Sequence, residues 1–231
     1  MEQIIVLLPS LNEEEGIGEV IDRIKKINIQ EKEYSIKILV IDGNSNDKTR
    51  EISESKGAEV ILQSDTGGKG IGVREAINHI LKQYSDDDIM IMMDADATYF
   101  PEDIPRFVEI LKSHDVVWGS RLRGKIESKA MSRINRLGNI ILSLTASMIF
   151  LKRTTDLCTG YWGFKISSLR KIILTAEGFN LEADLFSSVA KKKLKTQEIP
   201  INYAHREGFS NLNCYKDGPI IFSMILKKRF K

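Results

Sequence analysis

The sequence predicts an α/β fold with a mainly parallel sheet, and three observations lead there. Short runs of aliphatic and β-branched residues recur through the first half of the chain. Between them, apolar residues return at spacings of three and four, the period of a helix with one buried face. At 231 residues with 42% hydrophobic and 29% charged side chains, and with neither a low-complexity tract nor an internal repeat, the composition is that of a folded chain.

The elements follow in order. Ile4-Ile5-Val6-Leu7-Leu8 is the first strand, and Ile17, Val20, Ile21, Ile24 and Ile27 then share one helical face. Residues 36–41 form the second strand and Val60-Ile61-Leu62 the third, with Val73, Ile77, Ile80 and Leu81 marking the helix after it. Residues 89–93 and Val116-Val117-Trp118 read as the fourth and fifth strands. Buried runs alternating with helices imply right-handed βαβ crossovers. Beyond about residue 125 the alternation stops; helices separated by a Gly-rich loop over residues 156–164 take over, with one more strand expected at residues 198–203. This second half is expected to cover the sheet within a single domain spanning 1–231.

In open α/β sheets ligands bind beyond the carboxyl ends of the strands, and the polar residues gather there. Pro9-Ser10-Leu11-Asn12-Glu13 follows the first strand, Asp42-Gly43-Asn44-Ser45-Asn46-Asp47 the second, Asp94-Ala95-Asp96 the fourth and Gly119-Ser120-Arg121 the fifth. Four loops are thus expected to converge on one edge.

Composition excludes several functions. A net charge of +2 gives no general case for nucleic-acid binding, although basic residues gather at Lys191, Lys192, Lys193 and Lys195 and again at Lys227, Lys228, Arg229 and Lys231. Cys158 and Cys214 stand apart from any Cys/His cluster, which argues against zinc and suits free thiols in a reducing compartment. Met1-Glu2-Gln3 runs straight into an apolar strand with no secretory signal, so a cytoplasmic location is expected. The apolar stretches 137–151 and 218–226 both fall short of the roughly 20 residues that cross a bilayer.

Asp94-Ala95-Asp96 is the centre of the chemistry. Two carboxylates at i and i+2 can share a hard cation, magnesium or manganese, whose other positions take phosphate oxygens and water. In isolation Asp-x-Asp is far more often an ordinary acidic turn; its place at a strand's carboxyl end favours the metal reading. A metal bridging a diphosphate offsets the charge on a departing nucleotide, which points to group transfer from a nucleoside diphosphate. The four loops, in this order and spacing, resemble glycosyltransferase family two with its GT-A fold. Arg136-Leu137-Gly138-Asn139, Asp156-Leu157-Cys158-Thr159-Gly160 followed by Phe164, and Arg206-Glu207-Gly208-Phe209-Ser210 make the second half similar to the dolichyl-phosphate sugar synthases.

That resemblance implies a nucleotide-sugar-binding half over 1–124 and an acceptor- and membrane-facing half over 125–231. It places Pro9, Ser10, Asn12, Glu13, Asp42, Asn44, Lys69, Asp94 and Ala95 around the nucleotide and the metal on Asp94 and Asp96. Arg121, Arg136, Asn139, Arg206 and Ser210 face the acceptor phosphate, with Asp96, Arg121 and Arg136 as the catalytic set. Arginine suits this task, because its planar fork matches phosphate oxygens and separates two anionic substrates. An acceptor phosphate with a second pKa of roughly 6 brings its own oxyanion, so no protein base is required. His79, His114 and His205 are read as structural or surface residues.

Further expectations concern the donor and the surroundings. Asp42-Gly43-Asn44-Ser45, Thr98 and Gly160-Tyr161-Trp162-Gly163-Phe164 depart from the mannose synthase pattern, favouring UDP-glucose or UDP-N-acetylglucosamine over GDP-mannose. Gly67-Gly68-Lys69-Gly70 lacks the spacing of an ATP-binding loop; it reads as a loop beside the nucleotide with Lys69 near the diphosphate, or equally as a plain turn. Asp156 and Glu182 read as organisers of the acceptor side. A polyprenyl tail requires approach to the membrane surface, which places the enzyme peripherally on the cytoplasmic face. Residues 140–151 closed by Lys152-Arg153, and 220–226 closed by Lys227-Lys228-Arg229, offer apolar surface with basic ends, or else are core helices with solvated ends. Two alternatives stand beside this reading: a transferase with a soluble acceptor, which needs a carboxylate base near the metal site, and a nucleotide-binding module without catalysis.

Overall fold

The computed structural model describes residues 2–29, 34–64, 67–206 and 214–230, the side chains of residues 214 and 215 excepted. Strands β1 (Gln3–Ser10), β2 (Ser35–Asp42), β3 (Glu59–Leu62), β4 (Ile89–Met92) and β5 (Val116–Ser120) alternate with helices α1 (Ile17–Lys25), α2 (Thr49–Ser55), α3 (Lys69–Gln83) and α4 (Ile104–Leu111). Then follow α5 (Arg133–Phe150), β6 (Trp162–Lys165), α6 (Ile166–Leu169), α7 (Leu181–Lys191), β7 (Thr196–Pro200) and α8 (Cys214–Phe230). The seven strands form one sheet in the order β3-β2-β1-β4-β6-β5-β7. All neighbours are parallel except β6, which runs against both β4 and β5.

The period of two along each strand explains how the sheet is covered on both faces. Ile5 and Leu7 of β1 join Met90, Met92, Val116, Trp118 and Trp162 in a core shared with α3, α5, α7 and α8. Ile4, Val6 and Leu8 join Ile89, Ile91 and Val117 in the opposite core, shared with α1 and α4. A strand apolar at every position is therefore buried twice over, which is why these runs read as continuous.

Two expectations need correction. The second half does more than cover the sheet, because besides the expected last strand, β7, it contributes β6. The stretch read as a Gly-rich loop ends in β6, whose partners lie about 50 to 70 residues earlier in the chain (Met92↔Trp162, Val116↔Phe164), too distant for local pattern to reveal. A side chain at Gly163 would meet Val117 Cγ1 at 2.8 Å, so glycine here reflects close strand packing. The last strand ends at Pro200, short of residue 203; the chain beyond pairs with the end of β5 and the segment after it, through Ile201 N to Ser120 O and Tyr203 N to Lys125 O.

Candidate active site

The parallel strands end at one edge, where the polypeptide turns sharply. Asn12, Asn44 and Ala97, in the loops after β1, β2 and β4, adopt φ of 56°, 67° and 59°, left-handed values that concentrate at functional loops. A cavity of about 380 Å³ opens here, walled by Pro9, Ser10, Leu11, Asn12 and Glu13, by Gly43, by Gln63 and the Gly67-Gly68-Lys69 turn, and by Asp94 and Asp96. From the second half Cys158, Phe179, Glu182, Tyr203, Arg206 and Ile221 complete it.

Most residues expected around a nucleotide line this cavity; three do not. Asp42 is fully buried and its carboxylate accepts Ser45 N at 2.9 Å and Ser45 Oγ at 2.5 Å, closing the loop on itself. Asn44 donates to Gln63 O at 3.3 Å and Ala95 is packed away, its carbonyl 3.1 Å from where a Gly16 side chain would begin. Their loops build the cavity while their side chains turn from it, and Gly43 takes the wall position between Asp42 and Asn44.

Asp94 and Asp96 sit at the centre, each paired with a cation from a distant element. Lys69 Nζ at the start of α3 donates to Asp94 Oδ1 at 2.6 Å and to Glu182 Oε1 of α7 at 2.8 Å. Burial works against the Lys69 charge, but the Asp94 and Glu182 carboxylates outweigh it and hold the ammonium above its usual range. Asp96 is only 5% exposed; Thr98 donates to its Oδ1 from N at 3.2 Å and from Oγ1 at 2.5 Å, and Arg206 Nη1 lies 3.1 Å from Oδ2. Burial and the neighbouring Asp94 charge raise the Asp96 carboxyl. Arg206 Nη2 also donates to Glu13 Oε1 at 2.6 Å. Burial pushes the Glu13 carboxyl up to about 7, with Arg206 opposing and Asp96 and Asp94 adding to the rise.

No cluster of three or more His, Cys, Asp or Glu side chains able to hold a metal is present among the described residues. The pair Asp94 and Asp96 nonetheless fits a hard cation that keeps most positions for phosphate and water, since such ions are commonly held by one or two carboxylates. A side chain at position 160 would fall 2.4 Å from Asp94 Oδ2, so only glycine leaves room for this carboxylate.

A second cavity of about 350 Å³ adjoins the first, lined by Lys129, Ser132, Asn135, Gly138, Asn139 and Leu142 of α5 and its approach, and by Asp217, Gly218 and Ile221 of α8. Arg121, Cys158, Tyr203, Arg206 and Ile221 border both. Arg121 is locked to the fully buried Asp156: Nε and Nη2 donate to its two oxygens at 2.8 Å, the backbone N at 2.8 Å, and Nη2 again to Cys158 O. Nη1 carries no hydrogen bond to a described residue. Glu198 of β7 fixes the segment before Asp156, accepting from Thr154 Oγ1, Thr155 N and Thr155 Oγ1.

The expected acceptor residues therefore separate. Asn139 reaches the second cavity, but its Nδ2 donates to Asp156 Oδ1 at 2.6 Å and its Oδ1 accepts from Ser143 and Cys158, so it orients the aspartate. Arg136 does not join the others: it is exposed on α5 and lines neither cavity, because the helix turns Asn135, Gly138 and Asn139 inward. Ser210 lies outside the described residues. His205 lines the second cavity, while His79 and His114 make surface contacts with Glu59 and with Ser113 and the Ile110 carbonyl. Burial pushes the Cys158 thiol to about 12, making it a neutral wall group.

Of the two residues expected to organise the acceptor side, Asp156 holds Arg121 and Asn139 of the second cavity, whereas Glu182 lines the first and stands one lysine away from Asp94. Tyr203, whose ring lies 5.1 Å from the Arg121 guanidinium, and Gln63 went unremarked because neither belongs to a motif.

The chain is 35% identical over 231 residues to the Haloferax volcanii glycosyltransferase AglJ, covering 98% of this chain and 72% of that protein. It is 31% identical to the dolichyl-phosphate hexose transferase of the same organism, over 98% of this chain and 93% of the other. Among solved structures it superposes on glucosyl-3-phosphoglycerate synthase from Mycobacterium tuberculosis, in complex with Mn2+, UDP-glucose and phosphoglyceric acid, with a TM-score of 0.74 at 19% identity over 99% of this chain and 80% of that one. The architecture is the expected GT-A fold. The family model for glycosyl transferase family 2 matches residues 5–173, and the chain belongs to that family.

Proposed function

We propose that this glycosyltransferase moves a sugar from a nucleotide sugar, UDP-glucose or UDP-N-acetylglucosamine in preference to GDP-mannose, to a polyprenyl or dolichyl phosphate, with inversion. The observation that carries the reading is the pair of adjoining cavities, with an acidic pair in the first and two arginines at their boundary. Residues 1–124 supply most of the donor cavity and 125–231 the acceptor side, within a single domain. Asp94 and Asp96 would hold Mg2+ or Mn2+, which supplies charge neutralisation to the departing diphosphate. Lys69 stands where it can pass from Asp94 to the same phosphates. Arg121, held rigidly by Asp156, offers Nη1 to an acceptor phosphate, whose own oxygen is the nucleophile. The dolichyl-phosphate hexose transferase relative supports the acceptor class.

Membrane docking is supported by α5. Ile134, Leu137, Ile141, Leu144, Met148 and Leu151 stand exposed at spacings of three and four, from 55% for Ile134 to 92% for Leu151. No acidic residue occurs from Arg133 to Arg153, and Arg133, Arg136, Lys152 and Arg153 close the two ends. Two such helices would repel in either orientation, whereas anionic headgroups would attract both ends. No helix among the described residues is long and apolar enough to cross a membrane. We place the protein peripherally, on the cytoplasmic face.

A soluble hydroxyl acceptor is the second reading, favoured by one observation: Glu182 is a carboxylate of the second half beside the metal site, available as a base if Lys69 leaves it. The test is release of UDP or GDP from each nucleotide sugar with Mn2+, with short-chain dolichyl phosphate, with free saccharides, or with neither. Release that depends on dolichyl phosphate is expected; release that depends on a saccharide instead would replace the first reading by the second. Asp96→Ala should lose about three orders of magnitude in rate and lose Mn2+ binding in the presence of UDP, with its melting curve retained. Full activity in that variant would refute the metal assignment.

A further inference from the structure

Arg206 lines both cavities and is incompletely satisfied in its present place. Nη2 donates to Glu13 and Nη1 pairs with Asp96 Oδ2, while Nε is buried with no hydrogen-bond partner among the described residues. Asp96 is held differently on its two sides. Oδ1 accepts from Thr98, two residues away on the same turn, and these contacts keep the carboxylate in position. Among the described residues, Oδ2 meets only a guanidinium that arrives from the other half of the chain. A cation that comes to Asp96 therefore competes with Arg206 and with nothing local.

The backbone bearing Arg206 is anchored immediately before it. Tyr203 N donates to Lys125 O at 2.9 Å, Ala204 N to Thr98 O at 2.9 Å and His205 N to Glu127 Oε2 at 3.0 Å. Any change of partner is thus a swing of one side chain between two adjoining spaces.

We propose that Arg206 is a displaceable counter-cation that makes recognition of an acceptor phosphate conditional on a loaded donor site. In the ligand-free chain it neutralises Asp96. When Asp96 turns to a divalent cation, Nη1 loses its partner and joins Nε as an unsatisfied donor, and the neighbouring cavity is where an anionic oxygen can answer both. A phosphate arriving first would have to draw the guanidinium away from Asp96 and leave a buried carboxylate uncompensated, which is strongly unfavourable. Binding is accordingly ordered, donor before acceptor. This rests on the donor and acceptor reading given above, and it contradicts plain Coulomb expectation, under which a diphosphate in one cavity repels a phosphate in the next.

The test measures binding without turnover. Geranylgeranyl phosphate in detergent micelles is titrated into the full chain by calorimetry, in buffer alone and with saturating Mn2+ and UDP. Wild-type affinity should rise on the order of tenfold with Mn2+ and UDP. Arg206→Gln should bind Mn2+ and UDP yet show no such rise. Equal or weaker lipid-phosphate binding in the loaded wild type overturns the proposal, and this comparison needs no variant to fold. Retention of the full rise in Arg206→Gln overturns it as well. If the wild type binds UDP with Mn2+, and binds the lipid phosphate, but without coupling, only this inference falls; if it binds neither under any condition, the functional reading falls and this one with it.

Discussion

Two arginines form the wall between the cavities, and they are held in opposite ways. Arg121 meets a fully buried Asp156 through a two-pronged contact reinforced by its own backbone and by Asn139, so both partners are fixed from several directions. Arg206 spans two carboxylates that have other uses, leaves Nε unanswered by any described residue and keeps 23% of its side chain exposed. The same side chain serves as a fixture in one place and as an adjustable part in the other. What separates them is whether the carboxylate partner has another task to perform.

The largest effect should come from breaking the fixture. Asp156→Ala leaves a buried guanidinium uncompensated and should cost about 3–5 kcal/mol in denaturant unfolding. A loss below about 1 kcal/mol would mean that Arg121 finds another partner and that the contrast with Arg206 is overdrawn. The adjustable side is probed by pH. The Glu13 carboxyl rises from 4.5 to about 7 in the folded chain, which therefore holds that proton more tightly than the unfolded chain. The stability it contributes is complete below pH 4.5 and lost as the pH climbs through 7. The ligand-free protein should melt at lower temperature at about pH 8 than at about pH 5, and Glu13→Gln should flatten that slope. An unchanged slope would locate the titration elsewhere. The smallest effect is expected at the third arginine: Arg136→Ala, exposed on α5, should change stability by less than about 0.5 kcal/mol and dolichyl phosphate use by less than about threefold. A larger loss in acceptor use would return Arg136 to the acceptor site.

Legibility in the sequence followed the range of the interactions involved. The strand ends were visible because apolar runs and the polar residues after them are neighbours in the chain, and Asp94-Ala95-Asp96 could be placed without knowing what faces it. The counter-cations were less visible. Lys69 pairs with Asp94 across 25 residues and with Glu182 across 113, and Arg206 pairs with Glu13 across 193, distances over which a single sequence carries no pairing signal. Asp42 shows a different limit: a carboxylate after a strand can be used up by the turn it builds. Arg136 was displaced by helix phase alone, since one position along α5 separates a wall residue from a solvent-facing one.

The reversed direction of β6 has a consequence for how the chain tolerates changes in length. A strand parallel to its neighbours would deliver to the catalytic edge the residues that follow it; β6, running the other way, delivers those that precede it. Residues 156–161 are thereby tethered at both ends, by the Asp156 clasp on Arg121 and by the register Met92↔Trp162. Gly160, midway, is wedged against Asp94 with no space to spare. Insertions that a surface loop would absorb have nowhere to go here: a single added residue must either pull the clasp apart or push the carboxylate out of place.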